Sequence, residues 1–334
     1  MRSLVKTGPD VTDTFVVDRE IPEVRTGEVL LKVEACGLCG SDIHAWRSDL
    51  GYEWVIPPVC LGHEFSGTIV SAAPDVSGWA AGDRAVVVSI QGCLDCAECA
   101  VGRTQRCLTR RVIGLSYDGG MSEFVRVSAA YLVRVPVGMS AELGAAVEPL
   151  SVAAHGVLTV GGVVSGQKVV VTGAGFVGIC CALIARDAGA DVTLIGAPRD
   201  SASRLPAAAA LGLRTLTTDE GGWGEPDVWV EASGAAAALA MAIEQTRSGG
   251  RVSAVGMFTT APTANLNLLV RREIELHGSY ASVLHDYTLV IDLLAAGRLP
   301  VESLLEKYSL EDGVEALTAA ADARTLKPIL IPGG

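Results

Sequence analysis

The stretch KVVVTGAGFVGICCALIARDAGA, residues 168–190, decides the fold. Lys168 to Thr172 is a Val-rich run that reads as a buried strand. Gly173-Ala174-Gly175-Phe176-Val177-Gly178 follows at once, and an apolar helical pattern opens on it. The glycines allow a tight turn, close approach of backbone to a pyrophosphate, and close packing of helix on strand. The helix N-terminus adds unpaired N–H groups and the positive end of its dipole. A lone G-x-G-x-x-G is a weak signal. Its position between a strand and a helix makes Gly173, Gly175, Phe176, Val177 and Gly178 a candidate dinucleotide site. The competing reading is a Gly-rich turn of an ordinary α/β domain.

C-terminal to this stretch the chain alternates strand and helix: DVTLIG, SRLPAAAALGL, DVWVEASG, AAAALAMAIEQTR, GGRVSAVGMF and EIELHGSY. Repeated βαβ units imply a doubly wound parallel sheet with helices on both faces. Val255-Gly256-Met257 ends one of its strands, where nucleotide ligands sit, and is a candidate contact to the nicotinamide ribose or amide. A site for NAD usually ends its second strand in Asp or Glu, to hold the adenosine ribose. Here that position is Gly196, with Arg199 and Arg204 close behind. Loss of the carboxylate removes repulsion toward a 2′-phosphate, and a guanidinium grips phosphate well. NADP is therefore expected over NAD; the plain alternative is two solvated arginines.

N-terminal to it the sequence is β-rich. VLLKVEACGLCG, FSGTIVSAA, DRAVVVSI and SEFVRVSAAYLVRVP are short runs between Gly, Pro and Asp turns, and the pair GEVLLKVEA and GHEFSGTIVSAA looks like a small antiparallel barrel. Near residue 140 the composition shifts to Ala-rich helix, expected to break at Pro149. HDYTLVIDLLAAG and LEDGVEALTAAADA read as late helices, and KPILIP as a last strand returning to the first domain. The expected organisation is α/β: a catalytic domain over 1–150 with a metal lobe at 93–107, a dinucleotide domain over 151–280, and a return over 281–334.

Inside the first part, QGCLDCAECAVGRTQRCLTR places Cys93, Cys96, Cys99 and Cys107 at C-x2-C-x2-C-x7-C spacing. Four thiolates complete a tetrahedral zinc and leave no position for substrate, so this site is structural. A set of buried or disulfide-bonded cysteines is the alternative; the polar, aperiodic segment reads as a loop instead.

Composition removes several function classes. The chain has 334 residues, enough for two cores, and a formal net charge of −12, which disfavours nucleic acid as partner. No apolar run reads as a membrane span, and MRSLVKTGPD carries no apolar signal core. A cytoplasmic location is expected, where nine cysteines are thiols and metal ligands.

Further motifs are Cys36-Gly-Leu-Cys39-Gly-Ser41-Asp42-Ile-His44, Gly62-His63-Glu64 and Glu148-Pro-Leu-Ser-Val-Ala-Ala-His155. Together with the cysteine lobe, the glycine motif and Glu231-Ala-Ser-Gly234, they stand in the order found in the zinc-dependent medium-chain dehydrogenases/reductases. The chain resembles that family over essentially its whole length, and Glu148 onward looks most like the polyol (sorbitol-type) branch. The resemblance implies a GroES-like barrel joined to a Rossmann domain, two zinc ions per chain, NAD or NADP, and homodimers or homotetramers joined through an edge strand, here EIELHGSY. It also implies hydride transfer between NAD(P) and a secondary alcohol or ketone, with a polyol, sugar or cyclitol as substrate.

Cys39 and His63 are then the expected ligands of a catalytic zinc, with Glu64 third as in polyol-type relatives. Glu148 stands open between direct ligation, exchange with Glu64, and holding a zinc-bound water. Asp42 would orient His63. By the same resemblance Ser41 takes the alcohol proton, the cofactor ribose passes it on and His44 delivers it to solvent; an exposed loop histidine is the alternative for His44. Cys36 and Cys60 are expected to be buried apolar groups, Cys180 and Cys181 core packing, and His277 and His285 structural. His155 divides between substrate contact and packing. The chain departs from sorbitol-type relatives in having Ala45 after the relay histidine, with Trp46, Tyr52 and Trp54 as candidate entrance residues or core. Two other classes compete: a zinc-free enoyl or quinone reductase, opposed by Cys39, His63–Glu64 and the cysteine lobe, and a non-catalytic nucleotide-binding protein, opposed by the intact relay and metal residues. Metal content and turnover separate the three.

Overall fold

The Val-rich runs of the first part pair as an antiparallel sheet. In the computed structural model, which describes residues 1–333, strand Glu28–Gly37 pairs along its length with Glu64–Ala72, with register shifts at Leu30/Leu31 and Val33/Ala35. Such bulges bend and twist a sheet toward barrel curvature. The same strand pairs with Phe124–Ser128 near its start and with Lys327–Ile331 near its end. Leu4, Leu31, Leu61, Phe65, Ile69 and Met121 fill its core and are all but fully buried. Burial of each large side chain there contributes about 1.5–3 kcal/mol.

The register carries function. Gly37 lies opposite Glu64 on one neighbour and opposite Ile329 on the other. The strand's end therefore brings the residues after Gly37, the start of Glu64–Ala72 and the last strand of the chain to one place. Helix Gly40–Arg47 begins there, with Cys39 at its N-cap in an extended conformation.

These elements belong to a unit formed by Met1–Pro149, Val283–Ala296 and the chain from Val301 onward; Leu150–Ser282 with Gly297–Pro300 form a second unit. In the second unit the alternating segments make a parallel sheet. Its strand order is Arg214–Thr217, Asp191–Gly196, Lys168–Thr172, Val228–Glu231, Arg251–Ala254, Glu275–Gly278. In order of sequence this is 3-2-1-4-5-6, so the direction of winding reverses between Lys168–Thr172 and Val228–Glu231, where doubly wound sheets bind nucleotides. Gly173 has φ +107°, which an L side chain rarely adopts, and a Cβ on Gly178 would lie 1.8 Å from the Gly173 carbonyl oxygen. Both positions require glycine, for the turn and for the helix–strand approach respectively.

Two helical expectations need correction. Helix Ala141–Ala154 runs through Pro149 without a break and continues as a π-helix, His155–Val160. This stretch, Ala141–Val160, is long and apolar enough to cross a membrane, although the sequence reading found no such run. It is a core helix: 72% of its apolar window is buried inside the protein.

Candidate functional site

The lobe cysteines converge. The sulfur atoms of Cys93, Cys96, Cys99 and Cys107 all lie within 4.8 Å of one another. Backbone N–H groups already point at sulfur: Cys96 N donates to Cys93 Sγ at 3.3 Å, and Cys93 N to Cys107 Sγ at 3.4 Å. A hydrogen bond from Thr109, followed by that from Cys93 N, lowers the Cys107 thiol to about 6. Donors aimed at sulfur stabilise thiolate, the form that binds metal. Gly92 leaves the space this packing needs, since a Cβ there would meet Cys99 Sγ at 2.4 Å. The donor set, spacing and donor orientation fit zinc.

The second cluster is Cys39, His63 and Glu64, whose ligand atoms also lie within 4.8 Å of one another. Asp42, fully buried, ties its parts together. One Asp42 oxygen accepts Cys39 N at 2.9 Å; the other accepts Gly62 N at 3.3 Å and lies 3.4 Å from His63 Nδ1. His63 Nδ1 is itself buried with no hydrogen-bond partner among the described residues. Burial disfavours the His63 cation, but Asp42 and then Cys39 outweigh it and raise the ring well above its ordinary pKa. A buried point that draws a proton so strongly is also a favourable point for a divalent cation. Ser41 Oγ stands 3.2 Å from His63 Nε2.

Lys327 was not singled out in the sequence. Its ammonium forms a buried ion pair with Glu64 and donates to the Leu38 carbonyl at 2.9 Å. Its side chain is 4% exposed and that of Glu64 1%. Burial opposes the Lys327 charge; Glu64 and then Cys39 restore it, and the net shift is upward. Nothing local in KPILIP announces this role, because the partner lies 263 residues away.

Glu148 is not among the three residues whose ligand atoms lie within 4.8 Å of one another, but His63 and Glu64 both act on its charge. Ser89 Oγ donates to Glu148 Oε1 at 2.5 Å, and Ser89 N donates to Tyr287 Oη at 3.1 Å. Burial is the main cause that lifts the Glu148 carboxyl to about 7, against an opposing pull from His63.

Around helix Gly40–Arg47, His44 is partly exposed, with Nδ1 2.7 Å from Asp49 Oδ2. Its ring stacks on Tyr52 at 5.2 Å, and Tyr52 stacks on Trp54 at 6.2 Å. Trp46 is instead buried, with Nε1 donating to Val11 O, and belongs to the core. Cys36 and Cys60 are buried apart from both clusters, and burial raises both thiols. Cys180 and Cys181 are fully buried in helix Phe176–Asp187. His155 is buried, His277 pairs with Glu275 at the surface, and His285 is exposed.

In the second unit a pocket of about 370 Å³ opens at the carboxyl end of the sheet. Gly173, Gly175, Gly196, Arg199 and Arg204 line it, with Asp200. A Cβ on Gly175 would meet nothing within 4 Å, so the backbone there faces open space suited to a phosphate. Phe176, Val177 and Gly178 do not line the pocket. Phe176 and Gly178 are buried in helix packing. Val255, Gly256 and Met257 also lie outside the lining: Val255 N and Gly256 N donate to Glu231 O, and Gly256 packs on Gly234.

Asp200 changes the adenosine end. Its carboxylate accepts Ala197 N at 2.8 Å and lies 3.6 Å from Arg204 Nη1. Gly196 carries no carboxylate, but one returns four residues later, turned to cap the 3-10 turn Pro198–Ala202. Arg204 is therefore partly neutralised, while its Nε is buried with no hydrogen-bond partner among the described residues. Arg199 is exposed at the rim.

Comparison with known proteins agrees with this construction. Residues 25–137 match the model of the alcohol dehydrogenase GroES-like domain, and residues 177–296 that of the zinc-binding dehydrogenases. The chain is 30% identical to a sorbitol dehydrogenase of Halalkalibacterium halodurans, over 99% of each chain. It is 29% identical to an L-threonine 3-dehydrogenase of Burkholderia thailandensis, over 99% of this chain and 98% of that one. Among solved structures, the alcohol dehydrogenase TADH from Thermus sp. ATN1 superposes with a TM-score of 0.89 at 28% identity, covering 99% of both chains.

Proposed function

The chain belongs to the zinc-containing medium-chain alcohol dehydrogenase family, whose members are NAD(P)-dependent dehydrogenases of alcohols, and from that premise we propose that its substrate is a secondary alcohol or ketone of the polyol, sugar or cyclitol class. The observation that carries this reading is the Cys39–His63–Glu64 cluster, with His63 and Glu64 buried and Cys39 half-buried. A carboxylate is its third donor, where a purely thiolate and imidazole set would be softer. The sorbitol-type relative supports the polyol class; the threonine dehydrogenase marks the nearest competing substrate chemistry.

Cys39, His63 and Glu64 would hold the catalytic zinc, and Cys93, Cys96, Cys99 and Cys107 the structural one. Zinc held by three protein donors keeps an open position, lowers the pKa of an alcohol and polarises a carbonyl. A dinucleotide held at the glycine turn would supply the hydride chemistry. The chain's own residues do the rest. Asp42 fixes Cys39 and His63 relative to each other. Ser41, beside His63, can accept one proton while donating another. His44, on the same helix face one turn later, meets water and can pass the proton out. Glu148, held by Ser89, contributes a buried carboxyl that titrates near neutrality.

We propose NADP as the preferred cofactor, on the absence of a carboxylate at Gly196, the rim position of Arg199 and the unsatisfied Nε of Arg204. Replacing both arginines by alanine is expected to raise KM for NADP about 10–100-fold, the value of one or two charge-assisted hydrogen bonds, and to leave KM for NAD within about 3-fold. Equal shifts for both cofactors would remove this assignment. Assembly as a dimer or tetramer is supported by the edge strand Glu275–Gly278, all four residues exposed, and by exposed Leu266 and Val270 beside it. Nine free thiols suit a reducing, cytoplasmic compartment.

The deciding experiment assays polyols, sugars, cyclitols and L-threonine with both cofactors on protein of measured zinc content. Two zinc ions per chain and the highest kcat/KM on a polyol-class alcohol are expected. A higher kcat/KM on L-threonine would overturn the substrate assignment. Turnover of an enone by zinc-free protein would overturn the mechanism.

A further inference from the structure

The end of helix Gly40–Arg47 is built around His44. Ser48 adopts a left-handed conformation with φ 54°, and its N–H bonds to Ala45 O at 3.1 Å. Asp49 N–H reaches back five residues to His44 O at 3.0 Å. This pair of bonds is the Schellman closure, which folds the chain back over the last turn. Ser48 Oγ anchors the turn by donating to Pro9 O at 2.7 Å. The fold-back brings the Asp49 side chain to the His44 ring edge, 2.7 Å from Nδ1. Asp49 O accepts Tyr52 N at 3.0 Å, and the Tyr52 ring stacks on the His44 ring at an interplanar angle of 27°. The imidazole is thus held by its edge and by one face.

A carboxylate accepts hydrogen bonds and donates none. At 2.7 Å from Asp49, Nδ1 must therefore carry the proton of the neutral ring, and Nε2 keeps the lone pair. We propose that Asp49 is a positioning residue for proton transfer, fixing His44 as the Nδ1–H tautomer so that Nε2 is the atom that takes the proton leaving the alcohol. Nε2 takes one proton and later gives one to water; Nδ1 stays bonded to Asp49 throughout, and no electrons move. The imidazolium formed between these events faces a carboxylate at contact distance, which stabilises it. The proposal rests on the relay role of His44.

The test uses zinc-loaded enzyme with saturating cofactor and the best alcohol of the panel. Asp49→Asn keeps the shape but can turn an NH2 toward Nδ1, which moves the ring proton to Nε2. Its kcat is expected to fall about 10–100-fold, within the usual contribution of a positioned acid–base group, with KM for the alcohol changed less than about 2-fold. The 15N shifts of histidine-labelled protein, assigned by loss of the His44 signals in His44→Gln, should show pyrrole-type Nδ1 in the parent and pyrrole-type Nε2 in Asp49→Asn. If His44→Gln slows turnover while Asp49→Asn keeps the parent rate and tautomer, the proposal is overturned and the relay reading stands. If His44→Gln leaves turnover unchanged, the relay reading falls and takes the proposal with it.

Discussion

Replacing His63 with alanine is expected to lower kcat at least ~10³-fold and to leave one zinc per chain. Electrophilic assistance of the kind a bound zinc gives an alcohol or carbonyl is worth several kcal/mol, and about 4 kcal/mol is a thousandfold in rate. His63 is buried among groups that favour a cation, and alanine also removes the imidazole that faces Asp42. Cys96→Ser is the matched control, because it breaks the other cluster. That variant should lose the second zinc and most of its thermal stability; its remaining folded fraction should turn over at close to the parent rate. Metal analysis and kcat per folded molecule separate the two. The assignment of chemistry to one cluster and structure to the other fails if Cys96→Ser abolishes turnover with folding and assembly intact.

In zinc-free protein, Lys327→Met is expected to destabilise the fold by about 3–5 kcal/mol, because it leaves the buried Glu64 carboxylate without its cation partner. The ion pair alone is weak grounds for stability, since desolvating both partners costs nearly as much as their attraction returns. Removal of one partner is the costly step. Combining Lys327→Met with Glu64→Gln should therefore recover much of the loss, giving a coupling of about 2–3 kcal/mol in a double-mutant cycle measured by urea unfolding. Independent, additive effects would show that Lys327 and Glu64 do not depend on each other. Lys327→Met should also alter zinc retention under a chelator, because Glu64 then lacks the partner that holds it in place.

Much of the site was legible because its parts are local. Residues 168–178 carry strand, turn and helix start in one stretch, and the glycines at 173 and 178 are required by φ and by contact within that stretch. The four lobe cysteines lie on one loop, so spacing alone places them around a common centre. Cys39 and His63–Glu64 were harder, being separate segments. Their ordered motifs pointed to them, and the pairing of Gly37 with Glu64 explains why they meet.

What the sequence left unread shares a cause. The motif left three roles open for Glu148 and gave no sign of Ser89, which donates to its carboxylate from a distant segment. Helix packing buries the Phe176 ring, which the glycine motif does not announce. Asp200 escaped notice because its carboxylate turns back on its own backbone from four residues past the strand end. Asp49 is close in sequence to His44, but reaches it only because Ser48 takes a left-handed conformation, for which a serine gives no signal.

Residue type and spacing along the chain thus determined the two-domain α/β class, the dinucleotide turn and the four-cysteine lobe, since each depends on atoms a few bonds or one strand–turn–helix apart; Cys39, His63 and Glu64 were implied only by the family resemblance. The partners of those residues depended on sheet register and helix caps. Lys327 meets Glu64 because the last strand lies beside Gly37, at a sequence distance over which no local pattern operates. A buried charge is compensated by whatever the fold brings next to it, and only the folded chain determines which residue that is.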